Sequence, residues 1–415
     1  MSNNNVIKLF FNKMIWILTV VMLSSQIIFS AYSWVNIIFI FSGVLIFVLD
    51  NISNKGSILP FGRMQKSYAI FIIYGFLTSI WSLDPKISVG LSITLTYVII
   101  SITLIEPHYL RYNDLEKLKS VIIWSGIIIA LYTVYSFGIN GLIESSKSYH
   151  TRILSTFDNV NTISMFCAFG VLLQFESWIY NKKFRLSLLF LPVSLFVVAC
   201  LQSRKAITIL FLGCLFLLIF KNYSSRNLII SLFKIILSIA IILWFFYTVI
   251  NLEIFSGLHE RLNGMFALLG DQYNIDSSSM TRQAMFKTGI HIWKNNLIQG
   301  IGLGTSHIMV MKYLGINTYL HNNYIELLSS TGLLGFIFYY SMHIYILISL
   351  IKYRNNDKQI FDLGLMWILL TLIIDFGLVS YYGRVEIFYL MCQFINLNLL
   401  IKKGKDNNEI KKNLS

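Results

Sequence analysis

Apolar residues along the chain are gathered into long runs that are separated by mostly short polar connections. A helix that crosses a membrane needs about 20 mostly apolar residues. Twelve runs approach this length, and they are residues 14–30, 32–49, 68–83, 87–105, 120–138, 160–180, 186–201, 206–221, 229–250, 325–351, 361–380 and 387–401. The pattern therefore predicts an all-α fold, a polytopic bundle of about 12 transmembrane helices, with residues 1–415 forming a single integral membrane domain.

Composition supports a membrane protein and excludes the ordinary soluble class. Hydrophobic residues make up 56% of the chain and charged residues only 13%, far from the balance of a soluble globular domain. The first apolar run lacks a convincing small-residue cleavage site and is followed at once by another run. We therefore expect it to be the first membrane helix rather than a cleaved signal peptide.

The formal net charge of +14 is informative through its distribution along the chain, which indicates the membrane topology. With a cytoplasmic N-terminus, twelve spans place most of the 33 Lys and Arg residues in cytoplasmic connections, as the positive-inside rule expects. Both termini are then cytoplasmic, including a Lys-rich tail at residues 402–415. The positive charge also favours anionic membrane lipids, and no nucleic-acid partner is needed to explain it.

One long connection, residues 251–321, interrupts the lipid-like pattern on the predicted external side. A connection of this length is usually functional or disordered. Its segment SSSMTRQAMFKTGIHIWKNNLI (277–298) carries Met285, Ile292, Trp293 and Leu297 on one stripe, which predicts an amphipathic helix that lies on the membrane surface or roofs the bundle. The run QGIGLGTSHI that follows predicts a flexible or close-approach loop, and it lacks the third glycine of a dinucleotide-binding fingerprint.

Four arginines lie at or near the external ends of predicted spans, and they are Arg152, Arg204, Arg282 and Arg384. Arginine is costly at membrane depth, and its planar fork of donors matches phosphate oxygens. A lipid-linked phosphate or diphosphate is therefore a natural partner. For each arginine alone, a contact with external lipid headgroups is the alternative. Arg204 fits that alternative least well, because it lies in a very short turn between two apolar spans.

A histidine begins the segment HNNYIELLSSTGLLG at the external entrance of the tenth span. His321 there has a neutral imidazole available to accept a proton from a substrate hydroxyl, although a structural or capping role is the alternative. Asn322, Tyr324 and Glu326 add hydrogen-bonding groups that suit a sugar. Gly332 and Gly335 are expected to let another helix approach closely.

Metal and redox chemistry find little support in the sequence. The four cysteines lie in or beside apolar runs without metal-ligand spacing, and the histidines form no HExxH pattern. The first predicted external connections carry almost no carboxylates. We therefore expect no metal and no cofactor, with arginine stabilising charge and histidine transferring a proton.

Several of these segments together resemble the signature region of the bacterial O-antigen ligase and O-antigen or capsule polymerase superfamily. The resemblance rests on RQAMFKTGIHIWKNNLIQGIGLGTSHI followed by HNNYIELLSSTGLLGFIFYY. Upstream, QSRKAITILF resembles the Ser-Arg turn of that superfamily, and RILSTFDNVNTISMF, with Arg152 and Asn161, is similar to its Arg…Phe-x-Asn-x-Asn segment.

The resemblance implies a membrane-embedded, metal-independent, inverting glycosyltransferase of the C type. Its donor would be a glycan on undecaprenyl diphosphate at the external face of the bacterial inner membrane. In this chain Arg204 and Arg282 would hold the diphosphate, and His321 would orient or deprotonate the acceptor hydroxyl. Substrate binding is expected from Arg152, Asn161, Asn322, Tyr324, Glu326 and Arg384.

Two superfamily activities fit, and a third function belongs to another class. A polymerase joins lipid-linked repeat units, whereas a ligase transfers the finished glycan to lipid A-core. The segment HNNYIELLSSTGLLG favours the polymerase, whose expected partners include a chain-length regulator and the flippase of the same pathway. A flippase is the alternative of another class, but it would need charges along a path through the membrane core, and the notable residues here cluster on one side.

Overall fold

A computed structural model describes residues 3–54, 62–112, 115–147, 159–182, 185–223, 227–266 and 277–414. In these ranges the protein is all-α. Its helices are α1 (Asn3–Ile28), α2 (Val35–Asn54), α3 (Arg63–Thr78), α4 (Pro85–Tyr112), α5 (Leu115–Ser146), α6 (Val160–Asn181), α7 (Leu191–Cys200), α8 (Arg204–Asn222), α9 (Leu228–Ile250), α10 (Ser256–Phe266), α11 (Ser277–Asn295), α12 (Ser306–Leu314), α13 (Asn323–Lys352), α14 (Lys358–Ile374) and α15 (Arg384–Leu414).

Each of the twelve predicted apolar segments lies on a helix, which confirms the predicted helical bundle. Within the described ranges, nine helices are long and apolar enough to cross a membrane. The remaining three segments form shorter helices. They are α3 with 16 residues, α14 with 17 residues, and the apolar stretch Leu186–Cys200, where a five-residue 3-10 turn precedes α7.

The long helices pack side by side around a continuous apolar core, as α1 does on α2, α5 on α6, and α6 on α8. Two other groups of helix ends meet at one end of this bundle. A hydrogen bond between Arg204 and Ser279 joins the start of α8 to the start of α11. The start of α13 meets the end of α14, where Asn323 contacts Asp375. These four ends define the region in which Arg204, Arg282 and His321 lie.

The long connection between α9 and α13 contains three helices in its described part, α10, α11 and α12. Helix α11 occupies most of the segment for which the sequence predicts a helix. Its residues Met285 and Ile292 are buried, and Met285 packs with Leu320 and Ile325 at the start of α13. Leu297 differs from the expected stripe, because α11 ends at Asn295 and leaves Leu297 exposed.

Helix α13 is broken at Gly332, which has φ 64° and ψ −167°. The break exposes backbone groups that the loop after α11 satisfies. Ile301 N donates to Ser329 O at 3.1 Å, and Leu333 N donates to Leu297 O at 2.9 Å. A Cβ on Gly332 would lie 2.2 Å from Ile298 O, so a side chain there would collide with the loop backbone.

The expectation for the two glycines of α13 was therefore wrong for Gly332. It accommodates the backbone of a loop rather than another helix, because the helix is unwound at this position. Gly335 behaves as expected, since a Cβ there would lie 3.1 Å from Tyr74 on α3. The loop after α11 is a close-approach loop, anchored also by a bond from Leu303 N to Thr78 Oγ1 at 3.0 Å.

Candidate functional site

Arg204 is the first residue of α8 and is 8% exposed. Ser203 caps the helix, its hydroxyl accepting from Ala206 N at 3.4 Å. The guanidinium of Arg204 donates to Ser279 Oγ at 2.9 Å and to Ser278 Oγ at 3.4 Å. Both of these partners are neutral hydroxyls that orient the guanidinium.

A cavity of about 520 Å³ lies between the start of α8, the first turns of α11 and the end of α14. One side of it is polar and carries Arg204, Lys205, Thr208, Ser279, Arg282 and Gln283. The other side consists of Ile373, Ile374, Phe376 and Gly377, of which Phe376 is 68% exposed. The cavity thus combines three cationic side chains with an apolar wall.

A second, smaller cavity of about 230 Å³ contains His321 together with Ser278, Thr281, Arg282 and Met285. Arg282 lines both cavities. The three residues predicted to be catalytic, which come from three separate segments of the chain, are therefore brought to one place. Arg282 stands between Arg204 and His321.

The backbone of His321 has φ +54°, a left-handed conformation that is uncommon for a residue other than glycine. Its neighbours hold it there. Leu320 N donates to Glu326 Oε2 at 3.0 Å, and Asn322 caps α13 by accepting from Ile325 N at 3.1 Å. Such local strain persists only where the surroundings enforce it, and here both flanking residues do.

Burial, together with the positive charges of Arg282 and Lys205, lowers the pKa of His321 to about 4. The imidazole is therefore neutral at pH 7. Its Nδ1 is buried and has no hydrogen-bond partner among the described residues. His321 lines the smaller cavity, and a neutral imidazole can accept a proton from a hydroxyl group.

The other polar residues of the HNNYIE segment contact protein groups. Glu326 is 1% exposed and accepts from Ser306 and Ser330 as well as from Leu320. Tyr324 donates its hydroxyl to Leu372 O at 2.6 Å, and Asn322 donates to Phe376 O at 3.3 Å. In this structure these three side chains hold the start of α13, α12 and the end of α14 together, and their expected role in binding substrate stays a prediction.

Asn323 and Asp375, which are both buried, were not among the site residues predicted from the sequence. Asn323 Nδ2 donates to Asp375 Oδ2 at 3.2 Å and to the Tyr340 hydroxyl at 2.9 Å, while its Oδ1 accepts from Ser380 N at 2.9 Å. This network fixes the start of α13 against the end of α14. A buried Asp in an apolar segment was the available signal.

Two further predicted residues, Arg384 and Asn161, are not brought into these cavities. Arg384, at the start of α15, donates to Gln26 Oε1 at 3.1 Å and lines neither cavity. Asn161 donates to Asn159 Oδ1 at the start of α6 and also lines neither. Arg152 lies outside the described residues.

No group of three or more His, Cys, Asp or Glu that is placed to hold a metal ion is found in the ranges that the structure describes. The side chains that line the two cavities can supply charge stabilisation, at Arg204 and Arg282, and proton transfer, at His321. Both are functions of this chain's own side chains.

Comparison with known proteins agrees with this geometry. Residues 186–340 match the model of the family described as O-antigen ligase, and no curated protein matches the chain. The matched segment contains Arg204, Arg282 and His321 but not Asn161 or Arg384. It also spans the loop after α11 and the broken part of α13. This match confirms the resemblance to the O-antigen ligase and polymerase superfamily over the segment that carries both arginines and His321.

Proposed function

We propose that this protein is a glycosyltransferase that uses a glycan linked to undecaprenyl diphosphate as its donor. We favour a polymerase that joins lipid-linked oligosaccharide repeat units of an O-antigen or capsular polysaccharide. The site would face the external side of the bacterial inner membrane, with both termini in the cytoplasm. The partners would be the lipid-linked oligosaccharides, together with a chain-length regulator and a flippase of the same pathway.

The observation that carries this proposal is the cavity with cations on one side and apolar residues on the other. A lipid diphosphate has the same division, a charged head and an apolar chain. Arg204 and Arg282 would bind the phosphate oxygens, because guanidinium groups form paired hydrogen bonds with phosphate. The wall of Ile373, Ile374 and Phe376 would contact the first isoprene units.

The reaction follows from the neighbouring position of His321. The acceptor hydroxyl would enter the smaller cavity and attack the anomeric carbon, while its proton passes to the neutral imidazole of His321. The bond between the anomeric carbon and the phosphate oxygen breaks, and its electron pair stays on the diphosphate. The arginines stabilise that charge. Attack from the face opposite the leaving group inverts the anomeric configuration.

A ligase that transfers the finished glycan to lipid A-core is the second candidate. The family description, O-antigen ligase, fits this candidate, but the match itself does not distinguish a ligase from a polymerase. The form of the sequence motif HNNYIELLSSTGLLG favours the polymerase. Both activities would use the same donor chemistry and the same three residues, and they differ only in the acceptor.

The test is the cell-surface polysaccharide of a strain that lacks this gene, compared by gel electrophoresis after complementation with wild type, His321→Ala and His291→Ala. His291 is an exposed residue of α11 and serves as the matched control. We expect His291→Ala to restore the wild-type pattern. We expect His321→Ala to leave the deletion pattern although the protein is inserted at wild-type levels.

The deletion pattern identifies the reaction. Single repeats on lipid A-core indicate the polymerase, whereas loss of all core-linked glycan with long chains on the lipid carrier indicates the ligase. Repeats trapped on the cytoplasmic face would indicate a flippase and would overturn the enzymatic proposal. Full activity of His321→Ala would overturn the mechanism.

A further inference from the structure

Lys205 is a half-buried residue that lines the larger cavity, and the mechanism above does not use it. It follows Arg204 directly, and successive helical residues point about 100° apart. Arg204 therefore reaches α11, whereas Lys205 lies beside the connection after α14. A Cβ on Gly377 would lie 3.4 Å from Lys205 Cε, so the absence of a side chain at Gly377 leaves room for the lysine stem.

Lys205 has no hydrogen bond or ion pair with any part of the chain that the structure describes. Its electrostatic neighbours are Arg282, Arg204 and Glu386. Glu386 lines a different pocket, with Asp375 and Tyr389, and it is not among the residues that line the larger cavity. Two of the three neighbours, Arg282 and Arg204, thus carry the same charge as Lys205. An anionic ligand in the larger cavity would offset this repulsion, and the geometry therefore favours such a ligand.

The chemistry of the proposed donor gives a third cation a role. A glycosyl diphosphate lipid is a diester with two negative charges. When the bond to the anomeric carbon breaks, the terminal phosphate becomes a monoester and gains a further charge, because its second pKa is about 6. The two arginines would pair with the two charges of the bound donor, and a third cation would gain a matching negative charge only as the leaving group departs.

We propose that Lys205 binds the leaving lipid diphosphate and stabilises the negative charge that develops on it as the glycosidic bond breaks. This inference rests on the proposed function of the site. An interaction that is stronger in the transition state than with the bound donor raises kcat and has little effect on KM. Lys205 would thus act on turnover and on product affinity rather than on donor binding.

The test is a binding measurement with purified full-length protein in lipid nanodiscs, using two probes. One is undecaprenyl diphosphate, and the other is undecaprenyl diphosphate that carries a single sugar. We expect Lys205→Met to weaken binding of undecaprenyl diphosphate about tenfold, the typical effect of losing a hydrogen bond to a charged group. Binding of the glycosylated lipid should change much less.

Matched variants separate a specific contact from a general loss of charge. Lys294→Met removes an exposed lysine of α11 and should bind both probes as wild type does. Lys205→Arg should recover most of the affinity for undecaprenyl diphosphate. If Lys205→Met does not yield folded protein by size-exclusion chromatography, Lys205→Gln keeps a polar head in the cavity and carries the same comparison.

The outcomes distinguish this inference from the function on which it rests. The inference is overturned if Lys205→Met weakens the binding of both probes equally. It is also overturned if the variant weakens the binding of neither probe, and in that case Lys205 is a headgroup anchor. If Arg282→Met also binds both probes like wild type, the proposed function itself is overturned. In a turnover assay, a lower kcat with unchanged KM for the donor supports the inference, and a change in KM alone contradicts it.

Discussion

Cationic side chains occur inside the protein at both ends of the helical bundle, and their partners differ between the two ends. At the end opposite the candidate site, Lys119 on α5 is completely buried and pairs with Glu176 on α6 at 2.5 Å. Gln359 Nε2 donates to Glu176 Oε1 at 2.9 Å. At the site end, Arg204 meets serine hydroxyls and Lys205 forms no ion pair within the described ranges.

A second cluster at the opposite end follows the same rule. Asp50 on α2 lies 3.0 Å from His108 Nδ1 and 3.2 Å from Arg111 Nη2, both on α4. There, as around Lys119, the protein supplies the counter-charge. The comparison indicates that a buried cation with a carboxylate partner joins helices, whereas Lys205, which has no such partner among the described residues, leaves positive charge available to a ligand.

The largest expected effect is on the stability of the protein and comes from the end of the bundle at which Lys119 and Glu176 form an ion pair. Lys119→Met leaves the buried Glu176 carboxylate without its cation, and breaking a buried pair in this way costs about 3–5 kcal/mol. We expect a correspondingly lower free energy of unfolding in detergent, measured by chemical denaturation, with transfer activity per folded molecule unchanged. Lys66→Met, which removes an exposed lysine of α3, is the control. Equal stability of the two variants would remove the distinction between the ends.

The next effect is on activity at the site end. Arg282→Met should reduce the transfer rate by about 10²–10³, the usual cost of losing one group that stabilises a developing negative charge. Its free energy of unfolding should fall by much less than that of Lys119→Met. The reason is that the like charges of Arg204 and Lys205 lie nearby, so the substitution also removes electrostatic repulsion. Transfer kinetics and denaturation on the same preparation measure both. If Arg282→Met lowers the free energy of unfolding as much as Lys119→Met does, Arg282 is a structural cation and the prediction is wrong.

The smallest effect is a displacement of the pH profile. The neutral imidazole of His321 is the active form, and its pKa is lowered from 6.5 to about 4. The transfer rate should therefore stay level as the pH falls through 6.5 and decline only as it falls through about 4. In Lys205→Met one of the charges that lower this pKa is gone, so the acid limb should move to a slightly higher pH. An acid limb between pH 6 and 7 in the wild-type protein would contradict the role of His321 as a neutral base.

Sequence patterns predicted the helices well, because long apolar runs leave few alternatives to a membrane helix. They also selected Arg204, Arg282 and His321, whose residue types are unusual at span ends. They did not predict that Gly332 breaks α13, since an unwound turn depends on the loop that fills it. Glu326 was expected to bind a sugar, and only its contacts with Ser306, Leu320 and Ser330 identify what it holds in this structure.

The sequence by itself determined the class of protein and the chemistry available to it, because composition and the length of apolar runs restrict the fold and because few residue types carry charge. Tertiary structure decided which of those residues share a site. It placed Arg282 between two cavities and left Arg384 and Asn161 outside them. It also gave Lys119 a carboxylate partner and Lys205 none among the described residues. Two lysines in apolar helices look alike along the chain, and their energetics depend on neighbours that are distant in sequence.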